Sequence, residues 1–190
     1  MEKPRNFIRT YTGIYLDPYV ITPEQVEILD IAHSLSLMTR ANGHIRHFFS
    51  VAQHAVNCAL EAGNRGLSYR IQLACLLHDA AESYISDVTR PVKHRLEGYE
   101  QIEDFVLGVI FGKFGLGEMS GDELRAVKEI DDAMLYYEFE ALAGVHIRDI
   151  APVITMSHDF SYKPMADVKR DFLSMFEVLT KSDAISIHEL

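Results

Sequence analysis

The stretch Leu76-Leu77-His78-Asp79-Ala80-Ala81-Glu82 constrains the fold of this chain more than any other. It opens as an apolar run and then sets three ionisable side chains between positions 78 and 82. At about 100° per residue, a helix points His78 at 0°, Asp79 at about 100° and Glu82 at about 40°. All three share one arc, and Ile71, Ala74 and Cys75 lie on the same side one and two turns earlier. An imidazole and two carboxylates on a face suited to burial are costly unless something compensates them, and a divalent cation does so. A His–Asp pair on a half-exposed helix needs no such partner. The chain carries its own comparison, His158-Asp159, which lies between Pro152 and Pro164 without flanking apolar periodicity and reads as a loop pair.

The surrounding segments are helical. Ile21-Thr22-Pro23-Glu24-Gln25 supplies an apolar staple, an N-cap, a proline at the first helical position and the glutamine of a capping box, so a helix is expected from there to about residue 38. Apolar periodicity predicts further helices over about 50–62 (closed by Gly63 and Gly66), 67–85, 97–114 and 121–143, and a last one from Pro164. Residues 1–20 read as irregular with a short strand, and 147–163 as irregular. With no repeats and no sustained two-residue alternation, the class is all-α, a compact bundle of about six to eight helices. The 190 residues, 48% of them hydrophobic, suit one domain with a core over about 22–145 and a C-terminal helical extension over 146–190.

Composition narrows the function. No 18-residue apolar run is present, so no membrane span is expected. The start Met1-Glu2-Lys3-Pro4-Arg5-Asn6 leads into a polar, Tyr-rich segment and not an apolar leader. Cys58 and Cys75 both sit in apolar helical patterns and read as reduced core residues of a cytoplasmic protein. The net charge of −10 argues against a nucleic-acid polymer as partner, so an anionic ligand must meet a local basic cluster. Two such clusters exist. Arg40, His44, Arg46 and His47 precede His54, and Arg90, Lys93, His94 and Arg95 follow the central stretch. Either they hold phosphate oxygens or they are solvated turn residues, the latter being the reading for His47, His94 and Arg95. Nine tyrosines, ten phenylalanines and an apolar last helix are enough to cover a homo-oligomer interface or simply to fill the core.

Other residues join the central stretch. His54 falls on the preceding helix with Ser50, Val51 and Cys58, a helix apolar on its other side as well. A lone core histidine is ordinarily a satisfied structural residue, but a short connection between the two helices can bring His54 beside His78. On the helix over 121–143 the apolar stripe Leu124, Val127, Met134, Leu135, Leu142 contains Asp131 and Glu138, while Asp132 points about 100° away toward solvent. Glu138 is either part of a buried polar site or a salt-bridge partner of a neighbouring helix. Two histidines and two aspartates make a nitrogen and oxygen donor set suited to one divalent transition metal, Mn²⁺, Co²⁺, Fe²⁺ or Ni²⁺, with Mg²⁺ or Zn²⁺ also compatible. Glu82, within a turn of His78 and Asp79, is placed to take a proton from a metal-bound water.

His54, then His78-Asp79, then Asp131 resembles the ordered H…HD…D signature of the HD-domain phosphohydrolase superfamily. Phe48-Phe49-Ser50-Val51-Ala52-Gln53-His54 and Leu76–Glu82, with Arg40, Asp87 and Val88-Thr89-Arg90-Pro91-Val92-Lys93, resemble its small bacterial and phage 5′-deoxynucleotidase-like branch. The resemblance covers roughly residues 10–140. It implies an all-helical fold, one divalent metal on His54, His78, Asp79 and Asp131, proton handling by Glu82 with Asp87 close by, and a phosphate held by Arg40. Ala41 stands where that branch often has an aromatic residue beside the arginine. The expected activity is hydrolysis of deoxynucleoside 5′-monophosphates to nucleoside and phosphate. The alternatives are a compact phage-like deoxynucleoside triphosphate triphosphohydrolase, a non-catalytic nucleotide-binding module and, last, a helical adaptor, which leaves Asp131 and Glu138 unexplained.

Overall fold

The computed structural model describes residues 7–188, so the reading of residues 1–6 and of the last two lies outside the described residues. The short strand expected near the N-terminus is a hairpin, β1 (Ile8–Arg9) paired antiparallel with β2 (Tyr15–Leu16). It is closed by Gly13 in the left-handed region, φ +98°. Among the described residues the remaining regular elements are helical, and no helix is long and apolar enough to cross a membrane.

The capping box at Thr22 forms with Gln25 as its sequence demands. It closes only one tight turn, Pro23–Gln25, and Val26 is extended before α1 (Ile28–Leu37) begins. α2 (Val51–Asn64) starts from a capping box between Ser50 and Gln53, and α7 (Gly121–Ala143) from one between Ser120 and Glu123, each tying down otherwise orphaned N–H groups. α3 (Tyr69–Leu77) follows α2 after a short connection. Two single turns, α4 (Glu82–Ile85) and α5 (Arg90–Lys93), lead to α6 (Tyr99–Lys113), and α8 (Met165–His188) closes the chain.

α2 is the centre of the bundle. It packs on α3, α7, α8 and α1, which is why it is buried nearly all round, its polar Gln53, His54, Asn57 and Glu61 included. α8 lies on α1, α2 and α3 and puts Val168, Phe172 and Leu179 into the same core as Ile31, Leu35, Leu73, Leu76 and Met134. The segment before α8 is irregular, but it is fastened to α2. Glu61, fully buried, accepts from the Thr155 N–H (2.9 Å) and from Arg65 Nε (2.8 Å), and its other oxygen lies 2.9 Å from His158 Nε2. His158-Asp159 is thus a loop pair whose imidazole is buried against a carboxylate of α2.

The helix expected over 67–85 is interrupted at the central stretch. From Leu77 onward the backbone tightens into three-residue hydrogen bonds, Ala80 N–H to Leu77 O, Glu82 N–H to Asp79 O and Tyr84 N–H to Ala81 O. The cause is local chemistry. The Cys75 carbonyl, which a continuing α-helix would give to the Asp79 N–H, accepts from the His78 imidazole Nδ1 at 2.7 Å.

Candidate metal centre

The turn tilts His78 and Asp79 into the space between α2 and α7. His54 comes from α2 and Asp131 from α7, and the four side chains meet. His54 Nε2 lies 3.2 Å from His78 Nε2 and 3.3 Å from Asp131 Oδ1. His78 Nε2 lies 3.3 Å from Asp79 Oδ2, and the two remaining His–Asp pairs are at 3.8 Å. The side-chain partners on the far edge of each ring decide what these atoms are. A carbonyl can only accept, so His78 Nδ1 donates to Cys75 O. Glu138, a carboxylate of α7 buried to 3% exposure, does the same for His54 Nδ1 at 2.5 Å. With both rings neutral, the two Nε2 atoms turn lone pairs toward one another, with two carboxylate oxygens beside them. That is an arrangement for a cation and not for a hydrogen bond.

The charges agree. Asp79, Asp131 and Glu138 surround a single guanidinium, Arg40, whose Nη1 and Nε each lie 3.3 Å from Asp79 and Glu138. A dication restores neutrality. Without it the imidazoles carry the compensation. Burial and Arg40 oppose a charge on His54, yet neighbouring Cys58, Glu138 and Asp131 hold its pKa well above the ordinary value. Against the same burial, His54 and His78 hold the Asp131 carboxyl far below the usual carboxylate range. Against burial, His78, His54 and Arg40 likewise hold Asp79 low. The residues present therefore fit a divalent metal. Sequence reasoning passed over one neighbour, Cys58, which lies four residues after His54 on the same helix face. Its Sγ is 3.5 Å from His54 Nε2, and His54, Cys58 and His78 offer donor atoms all within 4.8 Å of one another. Burial pushes the Cys58 thiol up to about 11.

The centre forms one side of a cavity of about 690 Å³. Arg40, Asp79, Glu82, Asp87, Arg90, Lys93, Asp131 and Glu138 all line it. Glu82 is 6% exposed, and its Oε2 has no hydrogen-bond partner among the described residues. Burial first, then the charges of Asp79 and Asp87, push its pKa up to about 10. Burial raises Asp87 as well, and this residue follows Ser86, held in the left-handed region at φ +76°.

The basic residues expected at the phosphate divide. Arg40 points inward because the Thr39–Ser50 bridge and the bond from Arg40 N–H to Phe49 O pin its backbone to the start of α2. Ala41, Asn42 and Gly43, all with positive φ, then turn the chain outward. His44 is exposed and outside the cavity lining. Arg46 is outside it too and serves the end of α7. Its N–H bonds Leu142 O at 2.9 Å and its Nη1 bonds Ala141 O at 3.4 Å, a cation at a helix C-terminus. Arg90 and Lys93 are in the lining, but Arg90 pairs with Asp132 at 3.3 Å and Lys93 with Glu103 at 2.5 Å. Asp132, expected to face solvent, is shared among Arg90, Lys128 and Arg148. Lys128, three residues before Asp131 and 3.2 Å from its Oδ2, is a lining cation that the helix spacing could have revealed.

Comparison with known proteins places this geometry. The HD domain family model matches residues 45–133, which include His54, His78, Asp79 and Asp131. The uncharacterized protein YfdR of Escherichia coli is 38% identical over 111 residues, covering 58% of this chain and 60% of that protein's length. An uncharacterized protein of Rhodobacter capsulatus is 31% identical over 191 residues, covering 94% of this chain and 97% of that relative. The chain belongs to the HD domain family, and the HD domain implies a metal-dependent phosphohydrolase.

Proposed function

We propose that this protein hydrolyses the phosphate monoester of small nucleotides, deoxynucleoside 5′-monophosphates above all, with one divalent metal held by His54, His78, Asp79 and Asp131. The observation that carries the reading is the pair of facing Nε2 atoms beside two carboxylates, opening on a cavity that a guanidinium enters. Bound there, the metal lowers the pKa of a coordinated water and offsets phosphate charge.

The chain's own groups divide the remaining work. Arg40 has Nε on Glu138 and Nη1 on Asp79, which fixes the plane of the guanidinium and leaves donors for a phosphoryl oxygen. Glu82 retains a proton in the metal-free protein, and a nearby cation stabilises its carboxylate form. Glu82 then takes a proton from the attacking water and returns it to the leaving oxygen, with Asp87 beside it in the lining. Glu138 orients His54. The cavity favours a monophosphate over a triphosphate. Arg90, Lys93, His94 and Lys128 are each paired with an acidic side chain, and Glu100, Glu103 and Asp104 stand among them. Further phosphates would meet carboxylates before free cations. A small-molecule partner, a cytoplasmic setting and a homo-oligomer belong to the same proposal.

The test is a nucleotide panel with Mn²⁺ or Co²⁺, read by chromatography. Nucleoside and inorganic phosphate from the monophosphates support it. Triphosphate released from deoxynucleoside triphosphates, with monophosphates intact, replaces it with the triphosphohydrolase. Binding without turnover replaces it with the nucleotide-binding module.

A further inference from the structure

The metal, the arginine and the acids account for one end of the cavity only. Past Lys128 and Asp131 the lining, Glu138 apart, is apolar: Leu135, Phe139 and Leu142 from α7, Ile147 just beyond it and Ile45 from the turn before α2. An α-helix rises about 1.5 Å per residue, so Phe139 lies about 12 Å along α7 from Asp131. In angle, Leu135, Glu138 and Leu142 fall within about 40° of Asp131, and Phe139 about 80° round. Along one helix the lining thus runs from a cation and a metal donor through Leu135 and Glu138, whose carboxylate is taken up by His54 and Arg40, to Phe139 and Leu142. Leu142 is buried, but Leu135 and Phe139 are only half-buried, with the cavity in front of them. The stretch of lining around Arg90, Lys93 and His94 holds ion pairs, with Val88, Thr89 and Pro91 among them.

We infer that the wall of Ile45, Leu135, Phe139, Leu142 and Ile147 receives the base of a nucleoside 5′-monophosphate, with Phe139 as the stacking surface. The inference rests on the phosphohydrolase reading and deepens it. In its extended form such a molecule separates phosphate from base by a length comparable to the run from Asp131 to Phe139. The side chains of this wall carry no hydrogen-bonding group, so they select for a flat ring and its area and not for the pattern on its edge. The site accepts any base, and binding follows stacking area, purines ahead of pyrimidines.

The experiment is steady-state kinetics of the full-length, Mn²⁺-loaded protein on deoxyadenosine 5′-monophosphate, deoxycytidine 5′-monophosphate and deoxyribose 5-phosphate, which lacks a base. Phe139→Ala is expected to raise KM for the adenine nucleotide about tenfold, within the range for loss of a stacking aromatic, with kcat changed less than about twofold. KM for deoxyribose 5-phosphate stays as it was, and Phe139→Tyr keeps the wild-type preference. Ile147→Ser, at a position already 39% exposed, shifts KM in the same direction by less and serves if Phe139→Ala does not fold. Equal shifts on nucleotide and sugar phosphate, or none on either, overturn the inference and leave the phosphohydrolase reading intact. If the wild type turns over no substrate, that reading falls, and calorimetry of deoxyadenosine 5′-monophosphate binding decides the wall separately. Affinity lost in Phe139→Ala supports it, and equal affinity overturns it.

Discussion

Replacing Glu138 with glutamine isolates what its charge does. The carboxylate accepts from His54 Nδ1 through Oε1 (2.5 Å) and from Arg40 Nε through Oε2 (3.3 Å), at 3% exposure. Glutamine keeps the shape but has one oxygen, so it can accept from His54 or from Arg40 and must turn an NH₂ toward the other donor. A buried donor left in that position costs about 1–3 kcal/mol, and this is the expected loss in unfolding free energy of the metal-free protein. The charge that raises the basicity of His54 is also gone. Loss of such a supporting group weakens metal binding about 10–100-fold, or about 1.4–2.7 kcal/mol. Equilibrium dialysis against Mn²⁺ with elemental analysis reads the affinity, and urea unfolding of the metal-free protein reads the stability. An affinity within twofold of wild type, with an unchanged urea midpoint, refutes the reasoning and reduces Glu138 to a packing residue.

Other perturbations probe other parts. His78→Ala and Asp79→Ala are expected to lose metal and turnover together, and stoichiometric metal retained in both rules out the ligand assignment. Glu82→Ala keeps the metal and loses about 10²–10⁴-fold in kcat, so near-normal turnover removes it from the chemistry. Phe172→Ala, at a fully buried position of α8, costs about 3–5 kcal/mol, measurable by urea unfolding; a cost below 1 kcal/mol would mean that α8 is not part of the core. Glu61 gives a pH signature. Against burial, hydrogen bonds from Arg65, His158 and Thr155 hold its pKa below the usual 4.5. Its contribution is therefore complete above about pH 4.5 and is lost as pH falls through the lower folded value. The stability gap between wild type and Glu61→Gln should shrink as pH falls below 4, and a gap independent of pH contradicts the assignment.

The parts of this molecule legible in its sequence are those fixed by neighbours along the chain. Thr22 with Gln25 forms the expected capping box, although the helix expected from it begins only at Ile28, and Gly121–Ala143 shows its ends through its periodicity and Gly144. Asp131 and Glu138 were conspicuous because a carboxylate in an apolar stripe needs a partner, and Arg40 and the imidazoles supply it. What escaped depends on tertiary context. The break at His78 exists because its ring takes the Cys75 carbonyl, a choice that periodicity does not encode. Arg40 and Arg46 look alike in sequence, yet the left-handed run Ala41–Gly43 sends one into the cavity and the other to the end of α7. His158 looked like an ordinary loop residue because its partner Glu61 is 97 positions away.

The central claim is that a metal held by His54, His78, Asp79 and Asp131 drives phosphate release. The most direct test titrates the metal-free protein with Mn²⁺ while following bound metal and phosphate released from deoxyadenosine 5′-monophosphate in the same samples. The account predicts that release rises in proportion to occupancy and saturates at one ion per chain. Full occupancy without release, or release that persists in the chelator-treated protein, contradicts it.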